Sequence, residues 1–169
     1  MLKDSLIECG AIKFGKFILT SGKESKYYVD IKQASTNPKV LKEIAVEMSK
    51  LIADDKLDLL AGMELGAVPL AVALSLETNI PYVIIRKEKP GHGTGKQLVG
   101  SVQPGQNVLV VEDVATTGGS VVKALDALRA QELNVDKVIV VVDREEGAAE
   151  NLKDQNIQLI PLVKASDLK

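Results

Sequence analysis

The sequence predicts an α/β fold, a mostly parallel central sheet flanked by helices with a small N-terminal hood, and three observations carry that expectation. Short unbroken runs of Val, Ile and Leu alternate with stretches of helical period, as expected of strands covered on both faces by crossover helices. One of these runs, VLVVED, ends in two acids and a Gly-rich turn, at the end of a strand where open α/β sheets bind ligands. The 169 residues are 46% hydrophobic and 26% charged, with no repeat, linker or low-complexity segment, enough for one core. One domain over 1–169 is expected, with 1–36 as its hood and N-terminal segment.

Taken in order, Gly15 to Ile31 precede the alternating core and read as a hairpin, placed to close over a site at the sheet's edge. Asn37 and Pro38 fit the N-cap and first-turn proline of a helix whose Leu41, Ile44, Ala45, Met48 and Leu51 share a face. LDLLAGM reads as a strand, followed by a helix from about Ala67, the strand YVIIR and a Gly-rich loop through Lys96. LVGSV is then turned back by PGQ into NVLVVED, which makes LVGSV an antiparallel strand. A helix from Gly119 places Val121, Leu125 and Leu128 on one stripe, and the strand KVIVVVD, a helix near Ala148 and the strand IQLIPLV complete the chain.

Composition narrows the function. A single cysteine, Cys9, excludes an intrachain disulfide and suits a reducing, cytoplasmic compartment. The N-terminal MLKDSLIECGAIKFGK carries charges every few residues, so neither a signal peptide nor a membrane span is expected. A net charge of −2 provides no general basic field for nucleic acid, although cations cluster locally between Arg86 and Lys96.

The segment Val108 to Ser120 carries the most chemistry. An apolar strand delivers Glu112 and Asp113 to its C-terminal end, and Val114 and Ala115 lead into Thr116, Thr117, Gly118, Gly119 and Ser120, a short turn that opens a helix. Unpaired backbone N–H groups and small hydroxyls converge there, a geometry that holds a phosphate. The helix dipole contributes only ~0.3–1 kcal/mol, so directed hydrogen bonds must supply most of the grip. Acids beside a phosphate cradle make sense if the ligand also presents hydroxyls, and a ribose 5-phosphate presents both. Two other phosphate motifs fail on spacing: a Walker A loop ending at Gly95-Lys96 would need Gly where Pro90 stands and Ser or Thr where Gln97 stands, and Gly91-x-Gly93 is followed three residues on by Lys96 rather than Gly.

These thirteen residues resemble the signature by which type I phosphoribosyltransferases bind 5-phosphoribosyl 1-diphosphate (PRPP). The acceptor is suggested by IRKEKPGHGTGKQLVG, Ile85 to Gly100, whose Arg86, Lys87, Lys89, His92 and Lys96 are interleaved with glycines. That loop is similar to the catalytic loop of the orotate phosphoribosyltransferases, and the resemblance implies that Arg86, Lys87, Lys89 and His92 contact the diphosphate. It departs at one point, since the family's second loop lysine would usually fall where Pro90 stands, leaving Lys89 as its substitute. His92 is the chain's only histidine, so a histidine-based triad is not expected.

Three further segments extend the resemblance over nearly the whole chain. GMELGAVPLA resembles the diphosphate loop, where Glu64, Leu65, Gly66 and Ala67 would turn backbone amides toward the leaving group, often through a strained peptide. FILTSGKESKYYVD resembles the hood over the base, with Tyr28 and Val29 at the base-stacking site and Thr20 where the bacterial pattern has a lysine. VVVDREEG places Arg144 just past a strand end, where it can pair with the carboxylate that distinguishes orotate from other nucleobases, or form a surface ion pair with Glu145 or Glu146.

The resemblance implies a type I phosphoribosyltransferase fold and transfer of phosphoribose from PRPP to orotate. Lys87, Lys89, His92 and Asp113 would be catalytic, Thr116 would touch both phosphate and base, and Mg²⁺ would be held mainly through PRPP. It also implies a homodimer sharing loop residues between subunits, with neither nucleic acid nor membrane as a partner. A phosphoribosyltransferase for another base, or a non-catalytic PRPP sensor, are the alternatives, and the cationic loop discriminates against both.

Overall fold

A computed structural model describes residues 1–88 and 96–168. After helix α1 (Leu2–Glu8), strands β1 (Ile12–Ile18) and β2 (Glu24–Val29) form an antiparallel hairpin, with a register irregularity between Phe14 and Phe17. A single turn α2 (Lys32–Ser35) leads to α3 (Pro38–Leu51), and then β3 (Leu59–Met63), α4 (Val68–Thr78), β4 (Tyr82–Ile85) and β5 (Leu98–Val99) follow. The chain continues through β6 (Asn107–Ala115), α5 (Gly119–Arg129), β7 (Asn134–Asp143), α6 (Ala148–Lys153) and β8 (Gln158–Lys164), ending in a 3-10 turn over Ala165–Leu168.

The central sheet has the order β5-β4-β3-β6-β7-β8, parallel throughout except for β5, which runs antiparallel to β4 as the PGQ turn required. Alternation along the strands splits the core in two. Leu60, Leu109, Val111, Ile139 and Val141 pack with Leu6 of α1, Ile44 and Met48 of α3, and Leu70 and Leu74 of α4. Leu59, Ala61, Val108, Val110 and Val138 face Val121, Leu125 and Leu128 of α5 and Leu152 of α6. Burying a side chain of this size stabilises the fold by about 1.5–3 kcal/mol relative to leaving it in water.

Asn37 caps α3 as its sequence suggests, its side-chain oxygen accepting from the N–H groups of Lys39 at 3.1 Å and Val40 at 3.3 Å. The buried stripe of α3 is centred elsewhere than expected, on Val40, Ile44, Ala45 and Met48, while Leu51 is 42% exposed. Ile44 and Met48 continue the i, i+4 row that starts at Val40, so Leu51 lies on the flank of the stripe. Helix α1 was absent from the sequence expectation. At seven residues with one buried side chain, Leu6, it has no periodic pattern long enough to read.

Sheet order sets the position of any site. The chain moves outward from β3 to β4 on one side and resumes at β6 on the other, so the loops after β3 and β6 leave in opposite directions. The crevice between them is a topological switch point. Among the described residues, no helix is long and apolar enough to cross a membrane.

Candidate active site at the sheet's switch point

Strand β6 is apolar and buried from Val108 to Val111, and its last turnward residues carry the acids. Glu112 is 7% exposed, and its Oε1 accepts from the Asp113 N–H at 3.0 Å. Burial above all, then the hydrogen bond and charge of neighbouring Asp113, push the Glu112 carboxyl up to about 9. The buried acid therefore keeps its proton in the free protein at neutral pH. Asp113 reaches further out: its Oδ1 accepts from the Val114 N–H at 2.9 Å, and its side chain lines the cleft described below.

The β3 loop meets Asp113 from across the switch point. A Cβ built on Gly66 would overlap the Asp113 carboxylate, so only glycine allows this approach. The Glu64–Leu65 peptide in the same loop is cis. Glu64 Oε1 accepts from the Lys87 N–H at 2.7 Å, which ties the β3 loop to the start of the segment after β4. The stem of that segment is closed by Arg86, whose N–H donates to the Gln97 carbonyl, while Gln97 Nε2 donates back to the Arg86 carbonyl, each at 2.9 Å. Lys89 and His92, assigned to the diphosphate by resemblance, lie outside the described residues.

Beyond β6, Val114 to Val121 line a concavity of about 370 Å³ at the start of α5, whose N-cap Gly118 has φ +91°. This is the expected cradle, and Asn151 of α6 props it by donating to the Thr117 carbonyl at 2.7 Å. The sequence holds no sign of that brace, because Asn151 is an ordinary helical residue until α6 is packed under the loop. A cleft of about 440 Å³ adjoins the cradle through Val114, Thr116 and Thr117, and extends to Tyr28 and Val29 of β2, Asp113 and Arg144. The structure thus brings the expected phosphate and base ends together. Tyr28 is 43% exposed and packs on Phe17, ring centroids 5.6 Å apart. Thr20 also lines the cleft, and so do Lys23 and Lys32, two cations to which sequence reasoning gave no role. Their only signal was a cluster of lysines around the hairpin.

Arg144 sits where β7 ends. Its N–H donates to the Ala115 carbonyl at 2.9 Å, which fixes its backbone to the end of β6. Its side chain forms the ion pair with Glu146 (3.2 Å) that the sequence left as the alternative role, and it still lines the cleft. The two settings coexist because the Glu146 carboxylate occupies Nε alone. A larger depression, about 570 Å³, lies at the opposite ends of the strands, where Lys137 Nζ pairs with Asp55 Oδ2 at 2.9 Å, but none of the expected site residues reaches it.

The chain can be compared with known proteins. The model of the phosphoribosyl transferase domain matches residues 30–162. The orotate phosphoribosyltransferase of Thermoplasma volcanium is 56% identical over 169 residues, which span 100% of this chain and 99% of that one. Among solved structures, the orotate phosphoribosyltransferase of Aeropyrum pernix superposes with a TM-score of 0.89 at 32% identity, covering 99% of this chain and 95% of that one. The Mycobacterium tuberculosis orotate phosphoribosyltransferase in complex with PRPP gives 0.82 at 31% identity, covering 99% and 96%.

Proposed function

The chain belongs to the orotate phosphoribosyltransferase family, and from that premise we propose that it transfers the 5-phosphoribosyl group of PRPP to orotate, releasing pyrophosphate and forming orotidine 5′-monophosphate in pyrimidine biosynthesis. The observation that carries this reading is the continuity of two concavities through Val114, Thr116 and Thr117, with the Gly-rich turn into α5 at one end and Arg144 at the other. PRPP and orotate need such a pair of sites side by side.

In this reading the amides and hydroxyls of Thr116 to Ser120 hold the 5-phosphate, and Glu112 and Asp113 hold the ribose hydroxyls. The Glu64–Ala67 loop, lying against Asp113, turns amides toward the diphosphate, joined there by Arg86, Lys87, Lys89 and His92. Tyr28 and Val29 stack on the base while Arg144 pairs with its carboxylate. Cleaving the C1–diphosphate bond creates a cation-like ribosyl carbon and a highly charged leaving group. The protein's work is therefore to hold orotate N1 against C1 and to neutralise pyrophosphate. Alignment alone can lower the barrier by ~7–11 kcal/mol. Cations positioned on the departing oxygens add stabilisation that exists mainly in the transition state.

Mg²⁺ is the cofactor we assign. The substrate's diphosphate and ribose oxygens would supply most of the hard donors that such an ion takes, and the Asp113 carboxylate, which lines the cleft, would hold the ribose beside them. When bound, the ion supplies charge neutralisation for the leaving group. The proposed assembly is a homodimer in which the loop carrying Lys87 serves the neighbouring subunit's site, and the proposed address is the cytoplasm, where the single thiol of Cys9 stays reduced.

The test is a panel of orotate, uracil, hypoxanthine and adenine, each with PRPP and Mg²⁺, followed by pyrophosphate release. Orotate alone should be converted at a useful rate. Faster turnover of any other base, or none of orotate, would overturn the reading.

A further inference from the structure

Three groups hold the Arg144 side chain before any substrate arrives. Nε donates to Glu146 Oε2 at 3.2 Å and Nη2 donates to Ser25 Oγ at 3.4 Å. The guanidinium carbon lies 4.5 Å from the centroid of the Tyr27 ring, within cation–π range. As a result the arginine side chain is only 10% exposed. Ser25 is itself fixed, its hydroxyl donating to the Tyr27 carbonyl at 2.7 Å, so the two hairpin residues act on Arg144 as one unit. Among the described residues no hydrogen bond reaches Nη1, and that end of the fork is left for a ligand.

Tyr27 does not line the cleft, whereas its neighbour Tyr28 does. The ring therefore backs the guanidinium from outside the base site. Among the described residues its hydroxyl has no hydrogen-bond partner, and burial raises the phenol above its ordinary value despite the opposing pull of Arg144. The face of a neutral ring is what Arg144 meets. An unsupported arginine rotates freely about several bonds and loses that freedom on pairing with a carboxylate, whereas one already held in plane loses little.

We propose that Tyr27 is a positioning residue for acceptor specificity: its ring fixes the plane of the Arg144 guanidinium so that the free end of the fork meets the carboxylate of orotate. The inference rests on the proposed pairing of Arg144 with orotate.

Steady-state kinetics test it, with thermal melts confirming that each variant is folded. Tyr27→Leu should raise the KM for orotate about tenfold, between the values of an exposed and a desolvated cation–π contact. Its kcat and its KM for PRPP should stay within about twofold, and the preference for orotate over uracil in kcat/KM should fall in step. Tyr27→Phe, which keeps the ring, should restore the parent KM. Tyr27→Met supplies the same comparison should the leucine variant fold poorly. An unchanged orotate KM in the Leu and Met variants, an equal rise in the KM for PRPP, or a Phe variant as impaired as Leu would each overturn the proposal. Arg144→Ala separates the two levels. If it leaves orotate affinity intact, the underlying pairing fails; if it abolishes affinity while Tyr27→Leu does not alter it, only the positioning role fails.

Discussion

The two ends of the cleft are built in contrasting ways. The cradle is one contiguous stretch, from the apolar run of β6 through Thr116 and Gly118 into α5, and in the proposed reading its backbone amides and small hydroxyls hold the phosphate. The base end is assembled from a hairpin and the turn after β7: Ser25 and Arg144, 119 residues apart, meet there through their side chains. A contiguous backbone site travels as a unit and tolerates change around it, whereas a site of converging side chains depends on how the hairpin packs on the core. In the proposed reading, binding of the donor is thus local, and discrimination among acceptors is a tertiary property.

The largest effect expected tests whether the contrast extends to a second subunit. Lys87→Ala should lower kcat by about 10²–10³-fold, as for loss of one charge-stabilising donor in an active site, and Asp113→Asn should impair the ribose contacts. If Lys87 serves the neighbouring site, each mixed dimer regains one complete site. After random exchange of equal amounts, activity should recover to roughly a quarter of the parent's, as isologous pairing requires. Mere averaging of the two mutants, with exchange confirmed by mass spectrometry, would assign Lys87 to its own chain's site.

Next in size is Gly66→Ala. The added methyl cannot coexist with the Asp113 carboxylate, so loop and acid must separate. A displacement near 1 Å at reacting groups lowers turnover by about 100-fold, and the loss should appear with PRPP while orotate affinity is unchanged in calorimetry. Arg144→Ala is the mirror experiment. Loss of a charged hydrogen bond of ~1.5–3 kcal/mol corresponds to roughly 10- to 100-fold weaker orotate binding, with PRPP binding unaltered. Should both variants weaken both ligands alike, the division between a donor end and an acceptor end would not hold.

The last effect concerns Glu112 and is read in stability rather than in activity. Between the ordinary carboxylate range and about 9, the folded chain keeps a proton on Glu112 that the unfolded chain has released. Raising the pH through this window therefore favours unfolding, with a slope of at most about 1.4 kcal/mol per pH unit. Glu112→Gln should flatten the fall of Tm between pH 5 and pH 8. A parent and variant with parallel profiles would show that Glu112 is ionised in the folded state.

What was legible in the sequence follows the same division. The sheet, the antiparallel direction of LVGSV, of which only Leu98–Val99 forms strand, the Asn37 cap and the turn into α5 could be read because each depends on periodicity or turn chemistry within about a dozen residues. The bracing of Thr117 by Asn151, the approach of Gly66 to Asp113 and the clamp of Ser25 and Tyr27 on Arg144 could not. Each joins elements whose adjacency exists only after the strands have taken their order. Resemblance to the family's hood singles out Tyr28 on the hairpin and not Tyr27, because nothing in the hairpin's own sequence tells which of its residues meets an arginine that follows β7.

The outer strands of the sheet bear on how this protein behaves when crowded. One border is β5, two residues long, and the other is β8, interrupted by Pro161, which has no N–H to donate. Neither offers an extended row of free donors and acceptors on which a foreign strand could zip up. The parallel arrangement that exposes the cleft at one end of the strands thus presents poor templates for strand addition at its sides.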